Sequence, residues 1–331
     1  MRPQVRAYFE ETVLPLIARL HPEVLPAMSL RVEGSAGEGL DDRLSDVDAT
    51  LFLPRDLWQM RGGQLQLALL HALPPLVAHP YGPASSCHQP GSWHAFHHSE
   101  ISVHPWSELL DGQAEGVLAG QQEVPWERVP MEELLQLQSH PVLVDARGVL
   151  ARLQEMTAPD RYPHRLWVKS LMDELAGVLG EPHDLEKAVR RARPLEAQMI
   201  LGALLPRLLR IVFLLNRRYY PWRRRLFDHF HQLPVGPPEL LPDLLILQAE
   251  GDCSARAAAV ARIAQRLGEL VLESGMLTPE MLEHLQAARA ARAWERPHWR
   301  EELDRNARRA EAAGYDRLDG WVWQRWGWGD C

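Results

Sequence analysis

Asp46 and Asp48 stand one residue apart at the head of an apolar run, in the stretch "VEGSAGEGLDDRLSDVDATLFL" over residues 32–53. On a β-strand, residues i and i+2 share a face and lie about 6.6 Å apart along the chain. Two carboxylates on one face repel, and a cation held between them removes that cost. Val47, Ala49 and Leu51 fall on the other face and are core candidates. Carboxylate oxygens suit a hard ion such as Mg²⁺, which binds oxygen at about 2.0–2.1 Å. A strand edge supplies only part of an octahedron, so positions stay open for water and phosphate. Gly34 and Ser35 precede the pair. Glycine lets backbone approach a ligand, and serine offers both N–H and hydroxyl to a phosphate. The chemistry these residues suit is phosphate handling beside a divalent ion.

The elements that must position them follow from the patterning. "MRPQVRAYFEETVLPLIARL" has helical spacing, while "MSLRVEGS" and "DVDATLFLP" are short β-type runs bounded by Gly, Ser and Pro. "RDLWQMRGGQLQLALLHALPPLV" has helical spacing broken at Gly62-Gly63. "WHAFHHSEISVHPW" alternates as a strand, placing His98, Glu100, Ser102 and His104 on one face. "HPVLVDARGVLARL" is a strand, an Asp-x-x-Gly turn and a helix start. From about residue 160 the strand signal vanishes and helical periodicity takes over, with Thr278-Pro279-Glu280 a helix start. The expected fold is α+β: a small mixed β-sheet domain over 1–158, then an all-α domain over 159–331.

Bulk properties narrow the class. The chain has 331 residues, 46% hydrophobic and 24% charged, which suits a two-domain globular protein. Three widely spaced cysteines, Cys87, Cys253 and Cys331, form no Cys-x-x-Cys pair and argue for a reducing, cytoplasmic setting without a disulfide framework. The longest apolar run, "IVFLL" at 211–215, falls short of the roughly 20 residues of a membrane span, so no membrane partner is expected. The net charge of −8 is unevenly spread. Residues 161–225 hold 14 Lys or Arg against 6 Asp or Glu, whereas the first 160 hold 10 against 21. An acidic part suits metal ions and a basic part suits polyphosphate or nucleic acid. The histidines at 88, 94, 97, 98 and 104 fit no zinc spacing. Neither a P-loop nor a dinucleotide glycine pattern is present.

A Gly-Ser pair followed after about ten residues by Asp-x-Asp on a strand resembles the signature of the DNA polymerase β-like nucleotidyltransferases. The spelling over 33–53 is similar to compact bacterial members related to the aminoglycoside adenylyltransferases and minimal nucleotidyltransferases, and the likeness covers roughly 30–156. That resemblance implies a third carboxylate on a neighbouring strand, for which Glu100 is the candidate. The family often has Asp there, so Glu100 either binds a second ion or acts as general base. It also implies a two-ion site for Mg²⁺ or Mn²⁺ on Asp46, Asp48 and Glu100, with Gly34 and Ser35 on the triphosphate of an NTP or dNTP.

In the helical half, "LNRRYYPWRRRLF" resembles an Asn-Arg-Arg-Tyr-Tyr-Pro segment of bacterial nucleotidyltransferases carrying a helical C-terminal domain. That resemblance makes Asn216 a candidate nucleotide-site residue, Arg217 or Arg218 a candidate phosphate clamp and Tyr220 a candidate for stacking on a base or acceptor ring, with Lys169 a candidate phosphate ligand on the first helix of that domain. The acceptor is a small molecule, an oligonucleotide end or a protein side chain. The competing expectation is a non-catalytic nucleotide- or partner-binding module on the same fold.

Overall fold

The computed structural model describes residues 1, 3–40, 47–72, 101–178, 181–248 and 253–277. The chain divides into two compact units, Met1–Arg161 and Tyr162–Cys331. The architecture is α+β, a small mixed sheet in the first unit and helices alone in the second among the described residues.

Among the described residues the sheet has four strands: β1 (Ser29–Val32), β2 (Ala49–Leu53), β3 (Ile101–Pro105) and β4 (Val142–Asp145). Their spatial order is β3-β2-β1-β4, with β1 antiparallel to both β2 and β4 and with β2 parallel to β3. Period-2 alternation gives the sheet two unlike faces. One carries Leu30, Val32, Ala49, Leu51, Leu53, Ile101 and Val103, packed against Val5, Phe9, Val13, Leu16 and Ile17 of the N-terminal helical segment. Each large aliphatic side chain buried there contributes about 1.5–3 kcal/mol relative to exposure. The register places Ser29, Arg31, Thr50, Phe52, Ser102 and His104 on the other face, where the Thr50 and Ser102 hydroxyls meet at 3.1 Å.

Among the described residues β3 ends the sheet, and an open strand edge invites unwanted pairing. Here the edge is covered. Gln66, on the helix Gly63–Ala72, donates to Ile101 O (2.9 Å) and accepts from Val103 N–H (2.8 Å). Trp58 Nε1–H donates to Val103 O at 3.1 Å. The break expected at Gly62-Gly63 is instead a widened π-helical turn over Trp58–Gly62 running straight into that helix. A Cβ on Gly62 would lie 2.5 Å from Trp58 Cδ1, so this glycine makes room for the indole rather than ending the helix.

At the far edge the strand, turn and helix start expected over 140–153 are present. β4 ends at Asp145, Gly148 adopts φ 64°, and a helix follows over Val149–Met156. Asp145 ties the three together. It accepts from the Ser29 hydroxyl (2.7 Å) and from the N–H groups of Val149 and Ala151 (2.9 Å each), meeting the unpaired donors of a new helix.

The second unit is built on the helix Pro194–Leu215, which packs against His164–Val178, Glu181–Arg190 and Cys253–Glu273. Its length and composition are those of a helix able to cross a membrane, with a mean hydropathy of 1.8 over its most apolar window. Leu204, Leu208, Ile211, Val212 and Leu214 are nearly or fully buried within the unit, whereas Leu195 and Met199 on the same helix are exposed. Thr278-Pro279-Glu280 lies outside the described residues.

Candidate active site

β1 passes through Glu33 into a turn of helix over Gly34–Glu38, closed by Gly39 at φ 72°. Glu33 N–H donates to Asp48 O at 2.7 Å, carrying the β1–β2 ladder one residue beyond the strands. This pairing draws the Gly-Ser turn over the start of β2. Gly34 is held at φ 59°, a left-handed conformation that costs a residue with a Cβ about 1–2 kcal/mol. A Cβ at Gly34 would fall 2.4 Å from Asp48 Oδ2 and 3.3 Å from its Cγ. The backbone of the turn thus lies directly against the Asp48 carboxylate, an approach open only to glycine. Ser35 follows at 6% exposure.

The turn is wedged from beneath as well. A Cβ on Gly37 would sit 2.5 Å from Val32 O and 3.3 Å from His140 Cδ2. The His140 imidazole is buried, with Nε2 3.8 Å from Glu38 Oε1. Gly37→Ala should therefore cost about 1–3 kcal/mol of stability, as overpacking does. Urea denaturation measures it, and an unchanged midpoint would mean that the turn is free to shift.

Arg31, which the sequence reading passed over, lies on the same strand face as Glu33 and Asp48. Its side chain is 5% exposed and pairs with Glu33 Oε1 through Nη2 (2.6 Å) and Nε (3.1 Å). The guanidinium also stands 5.1 Å over the Phe52 ring, and its buried Nη1 has no hydrogen-bond partner among the described residues. The signal available was a single charge inside the apolar run "MSLRVEGS". Glu133 belongs to the same neighbourhood: burial pushes its pKa above the ordinary carboxylate range, while the Leu110 N–H (2.9 Å) and the Arg31 charge hold it down. A raised pKa contributes stability that is full below the unfolded-state value and lost as pH rises through the folded one. Glu133→Gln keeps an acceptor for Leu110 without the charge. Its melting temperature relative to wild type should therefore rise as pH increases from the ordinary glutamate range to neutrality. A constant or falling difference would remove the burial penalty from Glu133.

Of the expected metal ligands, Asp48 is placed here, half-buried beside Gly34. Asp46 and Glu100 lie outside the described residues; β3 begins at Ile101, which pairs with Ala49. Among the described residues no cluster of three or more possible ligands forms. The donor that is present, a carboxylate facing a Cβ-free approach, fits a hard divalent cation in kind.

Lys169, Asn216, Arg217 and Tyr220 belong to the second unit. Asn216 ends the helix Pro194–Leu215, donating to Val212 O (2.7 Å) and Val235 O (2.9 Å) and accepting from Val235 N–H (3.1 Å). Its amide is thus engaged by backbone. Arg217 follows, exposed, at φ 48°. Tyr219 is buried in an aromatic cluster, stacked on Trp167 at 5.6 Å and edge-on to Tyr162 at 5.5 Å. Tyr220 is half-buried beneath Arg210, whose Cζ stands 4.8 Å from the ring centroid. Lys169 is half-buried on the helix His164–Val178.

Residues 126–225 match a family described as a domain of unknown function (DUF4037). The match spans the end of the first unit and the start of the second; it includes Lys169 and 216–220 but not 34–48. No curated protein matches the chain.

Proposed function

We propose that the protein is a divalent-metal-dependent nucleotidyltransferase, moving a nucleoside monophosphate from an NTP or dNTP to an acceptor hydroxyl. The observation that carries this reading is the apposition of the Gly34 backbone and the Asp48 carboxylate at the mouth of β1 and β2. A triphosphate needs both a Cβ-free surface to lie against and a carboxylate able to hold the cation that accompanies it. The match over 126–225 adds support, since that family is nucleotidyltransferase-like.

In this reading Asp46, Asp48 and Glu100 hold Mg²⁺ or Mn²⁺, which supplies charge neutralisation at the reacting phosphate. Gly34 and Ser35 orient the triphosphate so that the acceptor oxygen approaches the α-phosphorus from the side opposite the pyrophosphate. The acceptor hydroxyl gives up its proton, for which Glu100 is the candidate base, the new P–O bond forms as the bond from the α-phosphorus to the α–β bridging oxygen breaks, and pyrophosphate departs. Arg31 stays beneath the site as a fixed positive charge, keeping Glu33 paired and turned away from the triphosphate. Such a mechanism draws its rate from position and charge rather than from covalent intermediates.

The acceptor is a small molecule, an oligonucleotide end or a side chain of a protein. Incubation with each α-labelled NTP and dNTP, with Mg²⁺ or Mn²⁺ and a panel of these acceptors, tests the proposal. Label transferred to an acceptor with stoichiometric pyrophosphate release supports it. Nucleotide binding without transfer to any of them would favour a binding module.

A further inference from the structure

The two ends of the sheet carry different chemistry. Gly34 leaves the carboxyl end of β1, beside the amino ends of β2 and β3. Because β2, β3 and β4 all run opposite to β1, their carboxyl ends meet at the other end of the sheet. There the chain passes from β2 into Pro54 and Arg55, from β3 into Trp106 and from β4 into Arg147. These residues line one open pocket of about 730 Å³, closed on a further side by Glu115 and Arg152. At about 3.3 Å per strand residue, it lies about 20 Å from Asp48.

We infer that this pocket binds a small phosphate ester bearing a planar ring, a nucleoside monophosphate in its simplest form, independently of the transfer chemistry at the other end. Three exposed arginines, Arg55, Arg147 and Arg152, line it. Arg152 is fixed against one wall by donating from Nη2 to Leu118 O at 2.6 Å. Among the described residues, no carboxylate pairs with Arg55 or Arg147. Two guanidinium forks without a carboxylate partner, Arg55 at the start of the short helix Arg55–Leu57 and Arg147 in the turn after β4, can close on one phosphate, whose oxygens match their planar donor geometry. Half-buried Trp106 offers a flat apolar surface beside them, suited to a ring but adding nothing to the binding of a bare anion. Asp56 and Glu115 supply acceptors for hydroxyl or amino hydrogens, and they count against a ligand of purely anionic character. The volume lies within the range of small-ligand sites. Buried Pro54 and Val149 form part of its lining and are positioned by the sheet and by the Asp145-capped helix.

The test is fluorescence anisotropy of methylanthraniloyl-AMP titrated with the full chain in EDTA, which withholds the divalent ions the other site needs. The proposal expects saturable binding that Asp48→Asn leaves unchanged. The double variant Arg55→Ala/Arg147→Ala should weaken it tenfold or more, with an unchanged melting temperature because both side chains are exposed. Trp106→Ala should weaken it several-fold, and unlabelled AMP should displace the probe at a concentration at least tenfold below that of inorganic phosphate. No saturable binding by the wild type, or equal binding by the double variant, would overturn the site. Equal competition by inorganic phosphate would overturn the ring contact. Displacement by a single-stranded oligonucleotide more effective than AMP would reassign the pocket to a nucleic-acid strand.

Discussion

Asp48→Asn is expected to reduce nucleotidyl transfer about 10²–10³-fold or more while leaving the fold intact. The substitution keeps the shape of the side chain and the Asp48 O to Glu33 N–H pairing, which is made by backbone. It removes the negative charge facing Gly34, and with it the affinity for a divalent cation. Removing one preorganised charge-stabilising group from an active site costs about this factor. Steady-state transfer at saturating NTP measures the effect, with circular dichroism melting as the control for folding. Full activity in Asp48→Asn would detach the carboxylate from the chemistry.

Gly34→Ala should impair both stability and nucleotide binding. The left-handed backbone alone disfavours any residue with a Cβ, and strain of this kind costs about 1–3 kcal/mol. The added methyl would also overlap Asp48 Oδ2, at 2.4 Å, so either the turn or the carboxylate must move. Affinity for ATP with Mg²⁺ should fall about tenfold or more, because both partners of the proposed triphosphate cradle are displaced. Ser35→Ala should be milder, since the backbone N–H stays. Isothermal titration of the two variants separates these cases. Unchanged affinity in Gly34→Ala would take the turn out of the site.

Much of the first unit was legible in the sequence because its punctuation is physical. Gly34, Ser35 and the aspartates interrupt apolar runs, and a left-handed turn that brings backbone against a carboxylate demands a glycine. The Asp145-Ala-Arg-Gly148 turn was legible for a similar reason: Gly148 supplies the positive φ and Asp145 caps the following helix. Sheet order was not legible, since local alternation does not say that β1 lies between β2 and β4. Nor was Arg31. A lone arginine in an apolar strand looks like an exposed position until its neighbours bury it over Phe52 and against Glu33. Gly62 misled in the opposite sense, because a glycine that makes room for Trp58 spells the same as one that ends a helix. In the second unit, "NRRYYP" stood out by composition. Tyr219 and Asn216 are engaged in packing and capping, which composition cannot distinguish from ligand binding.

If Asp48 and the Gly34 turn form a metal-dependent nucleotide site, ATP should stabilise the folded protein only when a divalent ion and the Asp48 carboxylate are both present, which thermal melting measures. The stabilisation by a ligand that binds only the folded state grows as RT ln(1 + [L]/Kd). At ATP concentrations about 100 times the dissociation constant this is about 2.7 kcal/mol. The melting temperature of the wild type should rise with ATP and Mg²⁺ or Mn²⁺ together, rise little with ATP in EDTA, and rise little under any condition for Asp48→Asn. An ATP-dependent rise of equal size in EDTA, or one retained in full by Asp48→Asn, would contradict a metal-dependent nucleotide site at Asp48.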